Sequence, residues 1–264
     1  MNLPFFLNRA PVMASTRVRV SYLPVLSALW SRRHGIGEIS VYLGAYLVYV
    51  YTRGLVHSDT VATGLVNGKR LVSFQDWLGV LVEPGWQAWA IDNVNTLVVF
   101  LNWAYIITYW PIIFAIAVAL FICNRKRYYF YRTVVIINLA AALLVFMLFP
   151  VASPFAVPTV ELQNTIQDYG PRFYGSEGMA TYYNISAAMP SLHFSWTVIL
   201  GVLFWRILPG WTRLLGLLYP VLTFFAIVIT GNHFIVDAAA GGSLAVVSFG
   251  AVALLQRTVW KRES

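Results

Sequence analysis

Two histidines and an aspartate are set apart in this chain by where they fall. His193 lies in MPSLHFSW, residues 189–196, and His233 in TGNHFIVD, residues 230–237, each at the start of a long apolar stretch. Asp237 follows His233 by four residues, a spacing that stacks two side chains on one side of a helix. Ionisable groups at membrane depth are costly and are read as functional by default. Two imidazoles and a carboxylate admit two chemistries. They hold a divalent metal as a facial triad, or they transfer a phosphoryl group, with one imidazole as nucleophile oriented by the carboxylate and the other as general acid. Pro190 and Ser191 open a helix at His193, and Gly231 and Asn232 bring backbone and amide donors to His233. That is provision for an anion, and it favours phosphoryl transfer without a metal. His34 and His57 fall in polar loops and receive no role.

The elements that position these groups are membrane helices. Of 264 residues 59% are apolar and 11% charged, where a soluble domain carries about 25% charge. Mean hydropathy is +0.69. These values exclude disorder and argue against a water-soluble globule. The single cysteine, Cys123, rules out an internal disulfide framework or a cysteine-rich metal site. Apolar runs long enough to cross a bilayer are predicted at 36–52, 96–122, 133–151, 193–208, 214–230 and 234–255. The fold class expected is therefore all-α, a polytopic six-transmembrane-helix bundle with short interfacial helices. The second run contains Pro111, which kinks it, and the fourth is short enough to need Pro190 and Ser191 for its first turn. Residues 1–35 read as a basic cytoplasmic or interfacial segment without a signal-peptide core, partly amphipathic over 18–30. Residues 36–256 read as the six-span catalytic domain and 257–264 as a cytoplasmic tail.

Lysines and arginines orient the bundle, because they are retained on the cytoplasmic side. With both termini inside, fourteen of the 18 basic residues are internal and only Arg53, Lys69, Arg70 and Arg172 are external. The formal charge of +8 thus reports topology and calls for no nucleic-acid partner. Both histidines fall on the opposite, extracytoplasmic face, which points to a multi-pass protein of a plasma or inner membrane. Two outer loops have substance. In the first, Leu71, Phe74, Trp77, Leu78, Leu81 and Val82 recur at helical spacing beside Arg70, Gln75, Asp76 and Glu83, predicting a surface helix that braces the bundle. The second, 150–188, holds four prolines and is read as irregular backbone serving a site.

The pairing of MPSLH with GNHFIVDAAAGG two spans later resembles the second and third signature motifs of the type 2 phosphatidic acid phosphatase superfamily. Within it the chain is similar to the branch that includes inositol phosphorylceramide synthase, and FPVASPFAVP, residues 149–158, resembles the proline-rich segment of that branch. The resemblance implies that His233 attacks phosphorus, Asp237 orients it and His193 protonates the leaving group. Two features of the superfamily have no counterpart. Its first basic motif is missing, and the Ser-Arg that opens its third motif falls on Ala226 and Ile227. Arg172, the lone arginine of the second outer loop, is the candidate phosphate clamp, with Ser191 and Asn232 as further anion contacts. Asn102, Tyr105 and Tyr109 share a face of the second span and are candidates for contact with a head group.

The expected activity is a lipid phosphatase or phosphotransferase that works at the extracytoplasmic surface through a phosphohistidine, without metal or other cofactor. Its substrate is a lipid phosphate or phospholipid, with water, a polyol or a lipid alcohol as acceptor. The rivals are metal-dependent chemistry on the same triad and a non-enzymatic transporter or flippase that uses the histidines for proton coupling.

Overall fold

The computed structural model describes residues 33–55, 60–170 and 185–263. The chain divides into two units, Met1–Ser40 and Val41–Ser264. Of the first, the described part is the opening of helix α1, Arg33–Leu55. The second contains α2 (Thr60–Trp77), α3 (Glu83–Asn93), α4 (Asn95–Ile107), α5 (Trp110–Cys123), α6 (Arg125–Leu148), α7 (Thr165–Tyr169), α8 (Leu192–Ile207), α9 (Leu215–Ile229) and α10 (Ile235–Glu263). Short 3-10 turns lie at Pro154–Ala156 and Gly210–Leu214. No strand occurs among the described residues, apart from an isolated bridge between Val151 and Ala187.

Among the described residues, three helical stretches are long and apolar enough to cross a bilayer: Arg125–Leu148, Gly210–Ile229 and Ile235–Arg257. A fourth is added if α3 and α4, bent by 118° at Val94, count as one broken span. The apolar stretch Gly37–Val48 and helices α5 and α8 are shorter. Length alone thus supports fewer crossings than the six predicted, and the reasons are local. The kink expected at Pro111 is a complete break: α4 stops at Ile107, and α5 restarts at Trp110 with the proline in its first turn, where a missing N–H costs nothing. Helix α8 is stopped by Pro209, which forces Leu208 into extended backbone, and it starts at Leu192, with Ser191 as its cap rather than its first turn.

The core is organised around α8, which packs on α6, α9 and α10. Its crossing with α9 is close because Gly201 and Gly216 face each other. A methyl on either would run into the carbonyl oxygen of the other. Small residues at such a crossing let two membrane helices approach to backbone distance. A polar node ties the same helices together. Asn138 of α6, fully buried, donates to Ser195 Oγ of α8 at 2.8 Å and to Ser248 Oγ of α10 at 3.2 Å, and accepts from Trp196 Nε1 at 3.1 Å. Leu144, Met147, Leu148, Val246, Val247 and Leu254 point outward, as apolar residues do when the surrounding solvent is lipid.

The first of the two loops predicted to be external differs from its sequence reading. The helix runs from Thr60 to Trp77, closed by Gly79 at φ +69°, and its buried face is Gly64, Asn67, Gly68, Leu71 and Gln75. Phe74, Trp77 and Leu78 face outward, whereas Gln75 and Glu83 are completely buried. The side packed against protein is therefore the one with small and polar residues. Gly64 and Gly68 admit the chain at 151–157, with Ala152 N–H donating to the Gly64 carbonyl at 3.0 Å and Asn67 donating to the Pro150 carbonyl at 2.9 Å.

Candidate active site

The structure brings the two histidine segments together. The His193 and His233 rings lie 6.1 Å apart, centroid to centroid. His193 is the second residue of α8, whose first turn is capped by Ser191, with Oγ accepting from Phe194 N–H at 3.3 Å. His233 is not on a helix. It sits in the turn between α9 and α10, where Asn232 and His233 both donate their backbone N–H to the Ile227 carbonyl, at 3.1 and 3.0 Å. The turn is possible because Gly231 adopts φ +76°, and its missing Cβ leaves room for the Gln163 carbonyl, which a methyl would meet at 2.7 Å.

His233 Nδ1 lies 2.9 Å from the Ala188 carbonyl oxygen and 3.6 Å from Asp237 Oδ2. A carbonyl can only accept, so this hydrogen bond puts the proton on Nδ1 and leaves the Nε2 lone pair available. The family resemblance gives Asp237 the task of orienting His233, which would make its carboxylate the acceptor of that proton. In the structure the nearer acceptor is the Ala188 carbonyl, with the carboxylate beside it at a distance too long for a hydrogen bond. Nothing in the sequence marks Ala188, since any residue offers a carbonyl. Asp237 is buried in the first turn of α10 and accepts the Phe234 N–H at 2.8 Å, while its Oδ1 has no hydrogen-bond partner among the described residues.

The remaining candidates separate into groups. Ser191 is buried at the junction, and its N–H donates to the Asp237 carbonyl at 3.0 Å. Gly241 and Gly242 make that junction possible, because a Cβ at the first would strike the Ser191 carbonyl and one at the second would lie 3.2 Å from the Phe194 ring. Asn232 is buried beside His233, and its amide donates to Thr230 Oγ1 at 2.7 Å. Tyr105 and Tyr109 stack on His193, with ring centroids at 4.4 and 4.0 Å. Asn102 is fully buried one turn before Tyr105, and it donates to the Val98 carbonyl at 2.9 Å and exchanges hydrogen bonds with Thr165 at 3.2 Å. In this arrangement Asn102 braces α7 against α4 rather than offering its amide outward. Arg172 lies outside the described residues.

Three buried side chains also fasten the His233 turn, two of them, Gln75 and Glu83, read from the sequence as polar positions of a surface helix. Glu83 Oε1 accepts from Ile235 N–H at 2.9 Å, and Gln75 Oε1 accepts from Val236 N–H at 3.1 Å. Gln87 grips both backbone groups of Gln163, at 2.7 and 3.0 Å, and donates to the Ile229 carbonyl at 2.8 Å. The signal that could have found Glu83 is its setting, an acid inside the otherwise apolar run LVEPGW.

Comparison with known proteins bears on this arrangement. A model of the PAP2 superfamily matches residues 69–251, well over half of the chain and including both histidine segments, Asp237 and the Gln75–Glu83 hairpin. The chain belongs to the PAP2 superfamily. Membership points to an enzyme of the phosphatase or phosphotransferase kind. No curated protein and no solved structure matches the chain. Among the described residues of this PAP2 member, no group of three His, Cys, Asp or Glu side chains is placed to hold a metal ion.

Proposed function

We propose that this PAP2 superfamily protein is a lipid phosphatase or phosphotransferase, and that it acts at the extracytoplasmic face of a six-span bundle through a phosphohistidine intermediate. The observation that carries this reading is the pair of imidazoles with ring centroids 6.1 Å apart, one of them with Nδ1 hydrogen-bonded to a carbonyl. In it, His233 Nε2 attacks phosphorus while His193, protonated, gives its proton to the departing alkoxide oxygen. The bond from phosphorus to that oxygen breaks as the bond to nitrogen forms. His193, now neutral, takes a proton from the acceptor hydroxyl, whose oxygen displaces His233 and leaves with the phosphoryl group. Asp237 stabilises the positive charge that develops on His233.

The backbone at the start of α8, with Ser191 and Asn232 beside it, supplies anion contacts, and Arg172 is the proposed cationic clamp. Tyr105 and Tyr109 flank the leaving-group side, and Asn102 positions the wall behind them. A lipid substrate suits a site at the mouth of membrane helices, where a head group reaches the histidines while its chain stays in the bilayer. The acceptor is water, a polyol or a lipid alcohol. The basic residues of the inner segments support cytoplasmic termini and an outward-facing site in a plasma or inner membrane.

The test is release of phosphate or of a phosphorylated head group from a panel of lipid phosphates and phospholipids by the purified protein in detergent. Turnover is expected to persist with chelator present and to be blocked by vanadate, which adopts the five-coordinate geometry of the transition state. Loss of activity with chelator and recovery on adding a divalent cation would favour the metal-dependent alternative. No turnover of any lipid, with the fold intact, would favour the transporter.

A further inference from the structure

The first turn of α10 is capped in an unusual way. The initial N–H groups of a helix have no partner within it, and a capping box satisfies two of them reciprocally. One side chain serves from the N-cap and the other from the third helical residue. Here the residue before the helix is Phe234, and the third helical residue is Asp237. Asp237 supplies its half of the box by accepting the Phe234 N–H, but phenylalanine has no oxygen with which to supply the other half. In its place the α2–α3 hairpin takes the two N–H groups between them: Glu83 Oε1 accepts Ile235 N–H and Gln75 Oε1 accepts Val236 N–H, while Asp237 N–H donates to the Phe234 carbonyl. Gln75 Nε2 in turn donates to Glu83 Oε1 at 2.8 Å, so the two side chains lock each other. Both are completely buried, and three consecutive N–H groups end on three side-chain oxygens.

We propose that Gln75 and Glu83 are positioning residues for the nucleophilic histidine, acting through Asp237 by completing its capping box from a distant hairpin. The inference rests on the reading above, in which His233 attacks phosphorus and Asp237 attends it. With Ile235 and Val236 satisfied from outside, Asp237 is committed to Phe234 alone, and its Oδ2 stays 3.6 Å from His233 Nδ1. Without the hairpin oxygens, the carboxylate is an acceptor in the same helical turn as the orphaned N–H groups, and drawing it towards them competes with its place beside His233. Glu83 Oε2 is buried with no hydrogen-bond partner among the described residues. The residue therefore keeps a buried acid where glutamine would supply the same cap oxygen.

The experiment compares Glu83→Ala, Glu83→Gln and Gln75→Ala with wild type. It uses p-nitrophenyl phosphate and the best lipid substrate, with monodisperse elution in detergent as the check on folding. Glu83→Ala should lower kcat by about tenfold or more with KM nearly unchanged, as expected when reacting groups are misplaced without loss of substrate contact. Glu83→Gln should recover most of that loss, and Gln75→Ala should fall in the same direction as Glu83→Ala. In an Asp237→Asn background, Glu83→Ala should cost less than about twofold, because residues acting through one another are not additive. Independent, multiplicative losses would overturn the proposal, as would equal losses in Glu83→Gln and Glu83→Ala. Failure of both alanine variants to fold alongside a fully active Glu83→Gln would make the pair purely architectural and would also overturn it. Full activity of His233→Ala would refute the underlying mechanism instead. An inactive His233→Ala with normal Glu83 and Gln75 variants would refute only the positioning role.

Discussion

The backbone N–H of Ser191 donates to the backbone carbonyl of Asp237 at 3.0 Å, so the segment carrying His193 and the one carrying Asp237 are joined by a direct main-chain hydrogen bond. The contact is close enough that Gly241 has no room for a Cβ against the Ser191 carbonyl. Gly241→Ala must push the start of α8 away from α10. It is expected to lower kcat by about 10²-fold, the usual cost of an ångström-scale misplacement, and to lower Tm in detergent. Wild-type turnover in this variant would show that the junction does not set the spacing of the histidines.

The two imidazoles should separate by leaving group. With a lipid alkoxide leaving group, His193→Ala and His233→Ala should both abolish detectable turnover, since general acid catalysis alone is worth about 10²–10⁴-fold. With p-nitrophenyl phosphate, whose leaving group departs without a proton, His193→Ala should recover activity and His233→Ala should not. Asp237→Asn should fall between them. Equal rescue of both histidine variants would reverse or cancel the assigned roles.

The tyrosines that stack on His193 should matter through their rings. Tyr109→Phe keeps the face 4.0 Å from the imidazole and is expected to remain within a few-fold of wild type. Tyr109→Leu removes an aromatic contact worth about 0.5–1.5 kcal/mol, and a loss of roughly two- to tenfold is expected with lipid substrates. Little or none of that loss should appear with the aryl phosphate. An equal loss on both substrates would place Tyr109 in substrate binding instead.

Asn138 should be a stability residue. Replacing it by Leu leaves Ser195 and Ser248 hydroxyls and the Trp196 indole N–H without their buried partner. Each such group costs about 1–3 kcal/mol, so a marked fall in Tm is expected. KM should stay near the wild-type value in whatever fraction remains folded.

Topology is open to thiol labelling. In a Cys123→Ser background, a cysteine at Glu161 should react with an impermeant reagent applied to intact cells, and one at Lys126 should not. Both positions are solvent-facing in the structure, so a silent residue cannot be attributed to burial. The reverse pattern would move the histidines to the cytoplasmic side.

The helical class and the pairing of His193 with His233 were legible because hydropathy and motif spacing are local properties of the chain. A disturbance at Pro111 was legible for the same reason, since a proline acts on its own turn, but it was read as a kink in one span and not as the break between Ile107 and Trp110. Three features were hidden. The Ala188 carbonyl has no side-chain signature, and the proximity of His233 to Asp237 comes from a turn that ends one residue short of the helix rather than from helical stacking. The inward face of α2 was misjudged because periodicity detects apolar stripes. In an apolar solvent the stripe can face outward, while Gln75 and Asn67 take the protein side.

The glycine crossing of α8 and α9 acts as a fulcrum. His193 lies eight residues along α8 from Gly201, an arm of about 12 Å at the helical rise. Rotating that arm by about 5° carries the imidazole about 1 Å sideways, a displacement of the size that costs about 10²-fold in rate. The gauge that fixes the gap between the two imidazoles thus lies at a helix crossing well removed from the rings themselves. A single methyl added at Gly201 or Gly216 would change the chemistry at the far end of the lever without touching a reacting atom.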